Sequence, residues 1–163
     1  MPIRRILPTE RHLYLAHMLR LDTEARRLRF AGFANDRRVT SHVEGIDLNK
    51  AVILGLFVDG EIRGVAEVFP EDNGKKAEVA FSLERELRGQ GLGKILFDRA
   101  LDAASLLSIE EVHVTALWEN TAMRSLVKSH NPFRSTCIEG YLEADLTVPD
   151  EVSVEGMELQ LAS

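Results

Sequence analysis

Between positions 77 and 107 the chain passes from an alternating apolar–polar stretch, through a cluster of glycines, into an amphipathic segment. No other feature restricts its fold as much. Residues 77–83 alternate with a period of two, as a half-buried strand does. Arg88-Gly-Gln-Gly-Leu-Gly93 follows, after which Leu92, Ile95, Leu96, Ala100, Ala103 and Leu107 mark one face of a helix. Strand, glycine-rich turn and helix start, in that order, bring backbone N–H groups and the positive end of a helix dipole into one concavity. Such a concavity suits the phosphates of a ligand, and Arg88 adds a full positive charge beside it.

The spacing limits which phosphate site this is. A P-loop requires Gly-x-x-x-x-Gly-Lys-Ser/Thr, and the sequence contains no such run. A dinucleotide fingerprint requires Gly-x-Gly-x-x-Gly, with an acidic residue about 20 positions on that reads the ribose. Here Gly89, Gly91 and Gly93 alternate, and Asp98 and Asp102 fall inside the following helix.

Length and composition set further bounds. The 163 residues read as one domain over 1–163, with about 149–163 as a weakly ordered tail or an extra strand. Hydrophobic residues make up 45%, ordinary for a globular chain, but no apolar run approaches the roughly 20 residues of a membrane span. The start Met1-Pro-Ile-Arg-Arg lacks the apolar core of a signal peptide. A net charge of −6 argues against a general nucleic-acid surface and favours a cationic amine as substrate. Cys137 is the one cysteine, so no disulfide framework exists and the cytoplasm is the expected compartment. The five histidines show no metal-ligand spacing, and no metal is expected.

Along the chain, residues 3–6 read as a short strand. Thr9 is placed to cap a helix carrying Leu13 and His17, and Asp22 or Thr23 to cap a second that runs to Arg29. Residues 32–38 read as a loop, and 39–47 as a short helix. Strands over 52–58, 61–69 and 76–83, separated by Asp59-Gly60 and Asp72-Asn-Gly74, make an antiparallel meander. After the glycine loop and its helix come a strand at 112–118, a helix from Asn120 to 129 ended by Asn131-Pro132, and a strand at 141–148. The fold class is α+β, a mostly antiparallel twisted sheet of six to seven strands flanked by about four helices. Trp118 reads as core, Glu84 and Glu86 as surface charges at the loop edge, and Arg26, Arg27 and Arg29 as a solvated basic helix face.

The run from Arg88 matches Arg/Gln-x-x-Gly-x-Gly/Ala and resembles the pyrophosphate loop of the GNAT-type acetyl-CoA-dependent N-acetyltransferases. The order of elements over 3–148 resembles that fold as well. So does Trp118-Glu-Asn-Thr-Ala-Met-Arg-Ser-Leu-Val-Lys-Ser-His130, with its Asn at a helix start followed by Ala and a hydrophobic stripe. Ala77-Glu-Val-Ala-Phe81, Ala122-Met-Arg124 and Glu24-Ala-Arg-Arg-Leu-Arg-Phe30 look most like the catalytic domain of bacterial protein-lysine acetyltransferases. In those enzymes the domain usually accompanies a nucleotide-sensing or acyl-CoA synthetase-like domain.

The resemblance implies acetyl-CoA as cosubstrate and a pair of strands splayed apart at its site. The pyrophosphate then lies on Arg88, Gly89, Gln90, Gly91, Leu92, Gly93 and Lys94, and the pantetheine arm pairs with Phe81, Ser82 and Leu83. Asn120 sits beside that arm. A lysine amine is neutral about once in 10³ at pH 7, a deficit of roughly 4–5 kcal/mol, so a base is needed. Glu78 matches the catalytic glutamate of the resembled family, and Glu67 on the preceding strand is its rival, the two being expected to face each other across the strand pair. Val127 stands seven positions after Asn120, where many of these enzymes carry a tyrosine that protonates the departing thiolate. The leading acceptor is a protein lysine. Small amines are an alternative acceptor, a non-catalytic CoA-binding sensor is the alternative of another class, and a homodimer through edge strands is possible.

Overall fold

The computed structural model describes residues 1–150 and 152, so the expected tail or strand over 149–163 lies almost wholly outside the described residues. Among the described residues seven strands join in one sheet: β1 (Ile3–Arg5), β2 (Val52–Val58), β3 (Glu61–Pro70), β4 (Lys76–Leu83), β5 (Glu111–Leu117), β6 (Arg134–Ile138) and β7 (Tyr141–Thr147). Their order is β1-β2-β3-β4-β5-β7-β6, and every neighbouring pair is antiparallel except β4 with β5. Five α-helices accompany them: α1 (Arg11–Arg20), α2 (Thr23–Phe30), α3 (Asp36–Gly45), α4 (Leu92–Leu106) and α5 (Thr121–Ser129).

The meander follows from its turn chemistry. Asp59 and Gly60 both adopt positive φ, at 51° and 81°, the backbone twist that suits a tight hairpin between β2 and β3. Alternation along β3 and β4 then sorts side chains to two faces. Ala66, Val68, Ala77 and Val79 pack with Leu96, Phe97 and Ala100 of α4 in one core cluster. Ile53 and Val65 face the other way and pack with Tyr14 and Met18 of α1 and Val39 and Val43 of α3. Helices therefore cover both faces, although all five residues of β6 at the sheet edge are exposed.

Four sequence-level expectations differ in detail. Thr9 does not cap α1; a 3₁₀ turn over Pro8–Glu10 precedes that helix, and the Thr9 carbonyl accepts from His12 Nδ1 at 3.0 Å. The third helix starts at Asp36, inside the expected loop, because the Asn35 side chain accepts from Arg38 N at 2.9 Å and caps it. Strand β6 was not foreseen, since an edge strand with no buried face leaves no hydrophobic pattern to read. Glu84 is buried rather than a surface charge.

That last correction has a structural cause. The bond from Glu84 N to Arg63 O, 3.0 Å, extends the β3–β4 ladder one step past Leu83 and turns Glu84 toward α1. Its carboxylate lies 3.0 Å from His17 Nδ1, 3.0 Å from Arg20 Nε and 2.7 Å from Arg63 Nε. Burial holds the His17 imidazole pKa below its usual value, so the neutral ring donates one hydrogen bond. A carboxylate can only accept, so Nδ1–H donates to Glu84 and Nε2, 2.8 Å from Ser82 Oγ, accepts from that hydroxyl.

Burial pushes the Glu84 carboxyl upward in pKa, but His17 and Arg20 outweigh it and hold the carboxyl below its ordinary range. A depressed folded pKa means the stabilisation is complete above the unfolded value and is lost as pH falls through the folded one. Glu84→Gln should lower stability by about 1–3 kcal/mol at pH 7. The difference in Tm from the parent should shrink below about pH 4, which thermal melts across pH would show.

Candidate active site

Strands β4 and β5 pair over only three residues, Lys76 with Glu111, Ala77 with Val112 and Glu78 with His113. Beyond Glu78 they part, while β4 keeps its partner β3 and β5 keeps β7 along their lengths. A cavity of about 440 Å³ fills the opening, with Val79–Leu83 on one wall and Val114–Ala116 on the other. The residues of β4 that border it keep one edge of their backbone unpaired, ready for an extended ligand arm.

The glycine loop closes one end of this cavity. Gly89 and Gly91 adopt φ of +74° and +77°, which other residues tolerate poorly, and Gly91 is the N-cap of α4. No side chain caps this helix, so the first-turn N–H groups are left to bind a ligand at the cavity end. Gly89, Gly91, Gly93, Arg88 and Lys94 all line the cavity. Arg88 is anchored there by its Nε, which donates to the Leu83 carbonyl at 3.1 Å. Asn120 lines it from the β5 side, with Oδ1 accepting from Met123 N at 3.1 Å as the cap of α5. That leaves the Asn120 amide NH₂ as its donor toward a ligand.

Phe81, Ser82 and Leu83 border the cavity as well, although the Ser82 hydroxyl is held by His17. Gln90 and Leu92 do not. The Gln90 amide donates back to the Glu86 carbonyl at 3.0 Å, and the Leu92 side chain is buried in the core, so only its backbone is suited to a phosphate role. Val127 is also buried in that core, Ser125 is exposed on α5, and Tyr141 pairs with Leu117 in the sheet.

A second cavity, about 540 Å³, opens on the face covered by α1–α3. Ala80 and Arg29 line both cavities and form the junction. Glu78 lines the second with an exposed side chain, near His42, Asp47, Lys50 and Phe69. Glu67 lies on the same sheet face, yet it pairs with Ala80 while Glu78 pairs with Phe69. The two carboxylates are diagonal neighbours and do not face each other.

Glu67 is completely buried. Its Oε1 accepts from the Tyr14 hydroxyl and lies 3.0 Å from His42 Nε2, and its Oε2 accepts from Arg29 Nε at 2.5 Å. Burial favours the neutral acid, but Arg29 and His42 win, and the Glu67 carboxyl is held well below the usual carboxylate range. A second carboxylate facing it would raise this pKa; the partners present lower it instead. Burial also combines with the Glu67 charge to push the Tyr14 phenol well above its ordinary value, so this hydroxyl stays a donor.

The three arginines of α2 do not share a face. Arg26 folds back on the Leu19 carbonyl and Asp36, and Arg27 reaches Glu24 and Glu119 in solvent. Arg26 and Arg29 are both largely buried, and of the three Arg29 alone lines these two cavities. Ala25, Leu28 and Arg29 all line the cofactor cavity, and their spacing of three and one after Ala25 is a helical-face signal that the run of basic residues masked. Trp118 is not core; it is 41% exposed, with the Arg124 guanidinium 4.4 Å from its ring centroid. Among the described residues no cluster of three or more His, Cys, Asp or Glu could hold a metal ion.

Gly93 tests the loop without backbone strain, because it lacks a positive φ and a Cβ there would meet nothing within 4 Å. Gly93→Asp should place a negative charge among the first-turn N–H groups and weaken acetyl-CoA binding at least ~10-fold, with Tm near parental, as calorimetry and melting would show. Asn120→Asp keeps the cap and removes the NH₂ donor. Acetyl-CoA affinity should fall while Tm is retained, and the reverse result would assign Asn120 to capping alone.

Comparison with known proteins agrees with this fold. The model of the acetyltransferase (GNAT) family matches residues 15–131. Among solved structures, the GNAT domain of S. lividans PAT superposes with a TM-score of 0.77 at 17% identity, over 89% of each chain. Spermidine N-acetyltransferase from Vibrio cholerae, in complex with CoA and spermine, gives 0.70 at 15% identity, over 90% of this chain and 95% of that one. The cAMP-binding acyltransferase from Mycobacterium smegmatis gives 0.61 at 19% identity; 98% of this chain corresponds to about half, 48%, of that chain. No curated protein sequence is similar enough to match. The family match spans most of the chain, including the parted strands, the glycine loop and the Asn120 cap: the protein belongs to the GNAT acetyltransferase family.

Proposed function

We propose that this acetyltransferase moves acetyl from acetyl-CoA to the side-chain amine of a protein lysine by direct attack in a ternary complex, with Glu78 as general base. The observation that carries the reading is the position of Glu78. Its exposed carboxylate lines the second cavity two residues before Ala80, where that cavity opens onto the cofactor cavity. An amine entering from this side meets Glu78 before it meets the thioester. Glu67 fits the role of base poorly, since both of its oxygens are already engaged and its partners oppose protonation.

The surroundings support a polypeptide acceptor. His113 sits beside Glu78 in the sheet, and the strands beyond it present an exposed Thr115 and the fully exposed β6. His113 is held between Asp145 at 2.7 Å and Glu143 at 2.6 Å. Burial lowers its imidazole pKa, but these two carboxylates outweigh that and raise it above its ordinary value. Glu143 and Asp145 are engaged by His113 and Arg134, so Glu78 is the carboxylate of this group left to meet a lysine.

Glu78→Gln should leave acetyl-CoA affinity intact and reduce turnover at pH 7 by roughly 10²–10⁴. The deficit should narrow as pH rises, because more of the amine is then neutral without help. Glu67→Gln is the control. If it loses turnover while folded and Glu78→Gln does not, the base is Glu67. Acceptors are separated by intact-mass analysis of acetylated proteins against CoA release with spermidine, the substrate class in the name of the Vibrio enzyme. Faster turnover of spermidine than of lysine peptides would replace the lysine reading.

A further inference from the structure

Resting on that reading, the transfer step raises a question of charge. The amine nitrogen bonds to the thioester carbon, Glu78 takes the amine proton, and the carbon–sulfur bond breaks with its electron pair on sulfur. A thiolate is left, and at the place where many GNAT enzymes hold a proton donor this chain has Val127, 1% exposed in the core.

We propose that Arg29 stabilises the departing thiolate as a fixed cation, so that sulfur is protonated by water only after CoA leaves. Arg29 and Ala80 are the residues common to both cavities, which puts Arg29 at the passage between cofactor and acceptor. Its orientation is set: Nε donates to Glu67 at 2.5 Å and Nη2 lies 3.2 Å from His42 Nε2. Because His42 Nε2 donates to Glu67 it cannot also accept from Arg29, so the Glu67 contact uses one of the five guanidinium N–H groups. Glu67, in turn, is held by the Tyr14 hydroxyl, so the whole cluster is braced against α1 and α3 before substrate arrives. Preorganised donors of this kind act without reorganising during the step. Arginine suits the task because it does not give up its proton, and this same property excludes it as the missing acid.

The test compares CoA with desulfo-CoA, which has no thiol to ionise. For the parent, calorimetry from pH 6.5 to 9.5 should show CoA gaining affinity over desulfo-CoA by about tenfold as the bound thiol ionises, a cysteine thiol for comparison titrating near 8.5. Arg29→Met alone leaves Glu67 buried without its partner and risks unfolding, so it is combined with Glu67→Gln, and Glu67→Gln alone is the reference. In the double variant the CoA preference should stay flat with pH. Its kcat should fall about 10²–10³ below that of Glu67→Gln with little change in the KM for acetyl-CoA. Arg29→Lys should keep the rise with pH and recover part of kcat, which a purely structural role would not require. A parent with no pH-dependent preference, or a double variant that retains it, overturns the proposal. Glu78→Gln should leave the preference intact, so failure of the base assignment reads out separately. A parent that binds neither compound would end the acetyl-transfer reading and this proposal with it.

Discussion

The separation of β4 from β5 after three paired residues is the constraint on which the site depends. A parallel pair that continued to Leu83 would satisfy its own backbone groups and close the cavity. Instead the unpaired edge of β4 must be satisfied by water or by a ligand that mimics a strand. The parting also opens the sheet from face to face. Ala25, Leu28 and Arg29 of α2 therefore reach the same cavity as Leu96 of α4 and Met123 of α5.

An opening through a sheet needs bracing, and two buried carboxylates supply it on the α1–α3 face. Glu67 ties α2 and α3 to β3 through Arg29 and His42, and Glu84 ties α1 to the end of β4 through His17 and Arg20. Each is ionised only because its partners outweigh the penalty of burial. Ser82 and Glu84 flank Leu83, whose carbonyl anchors Arg88, so the α1 network also fixes where the glycine loop begins. On the opposite face the stacking of Phe81 on Phe97, 5.0 Å between centroids, and of Phe97 near His130 holds the cavity wall to α4 and α5.

The meander and the glycine loop were legible because each rests on local chemistry. Hydrophobic alternation needs only neighbouring residues, as does a turn such as Asp59-Gly60 or an uncapped glycine helix start. Strand β6 had no buried face to leave a pattern, and α3 hid its start behind a loop-like composition. Glu84 and Arg29 were misplaced for a different reason. A charged side chain buries only when distant partners converge on it, and the residues 17, 20 and 63 that hold Glu84 have no sequence relation to position 84 that marks them.

By itself the sequence determined the α+β class, the strand–loop–helix suited to a pyrophosphate and the family that this segment resembles. These depend on periodicity, glycine backbone freedom and the dipole of a helix start, all properties of contiguous residues. Only the tertiary structure decided that Glu78 lines an open cavity while Glu67 is sealed among Tyr14, Arg29 and His42, and that Arg29 stands where the two cavities meet. Two carboxylates on one sheet face look alike in one dimension. Their difference in burial and charge environment arises from which helices fold over each of them.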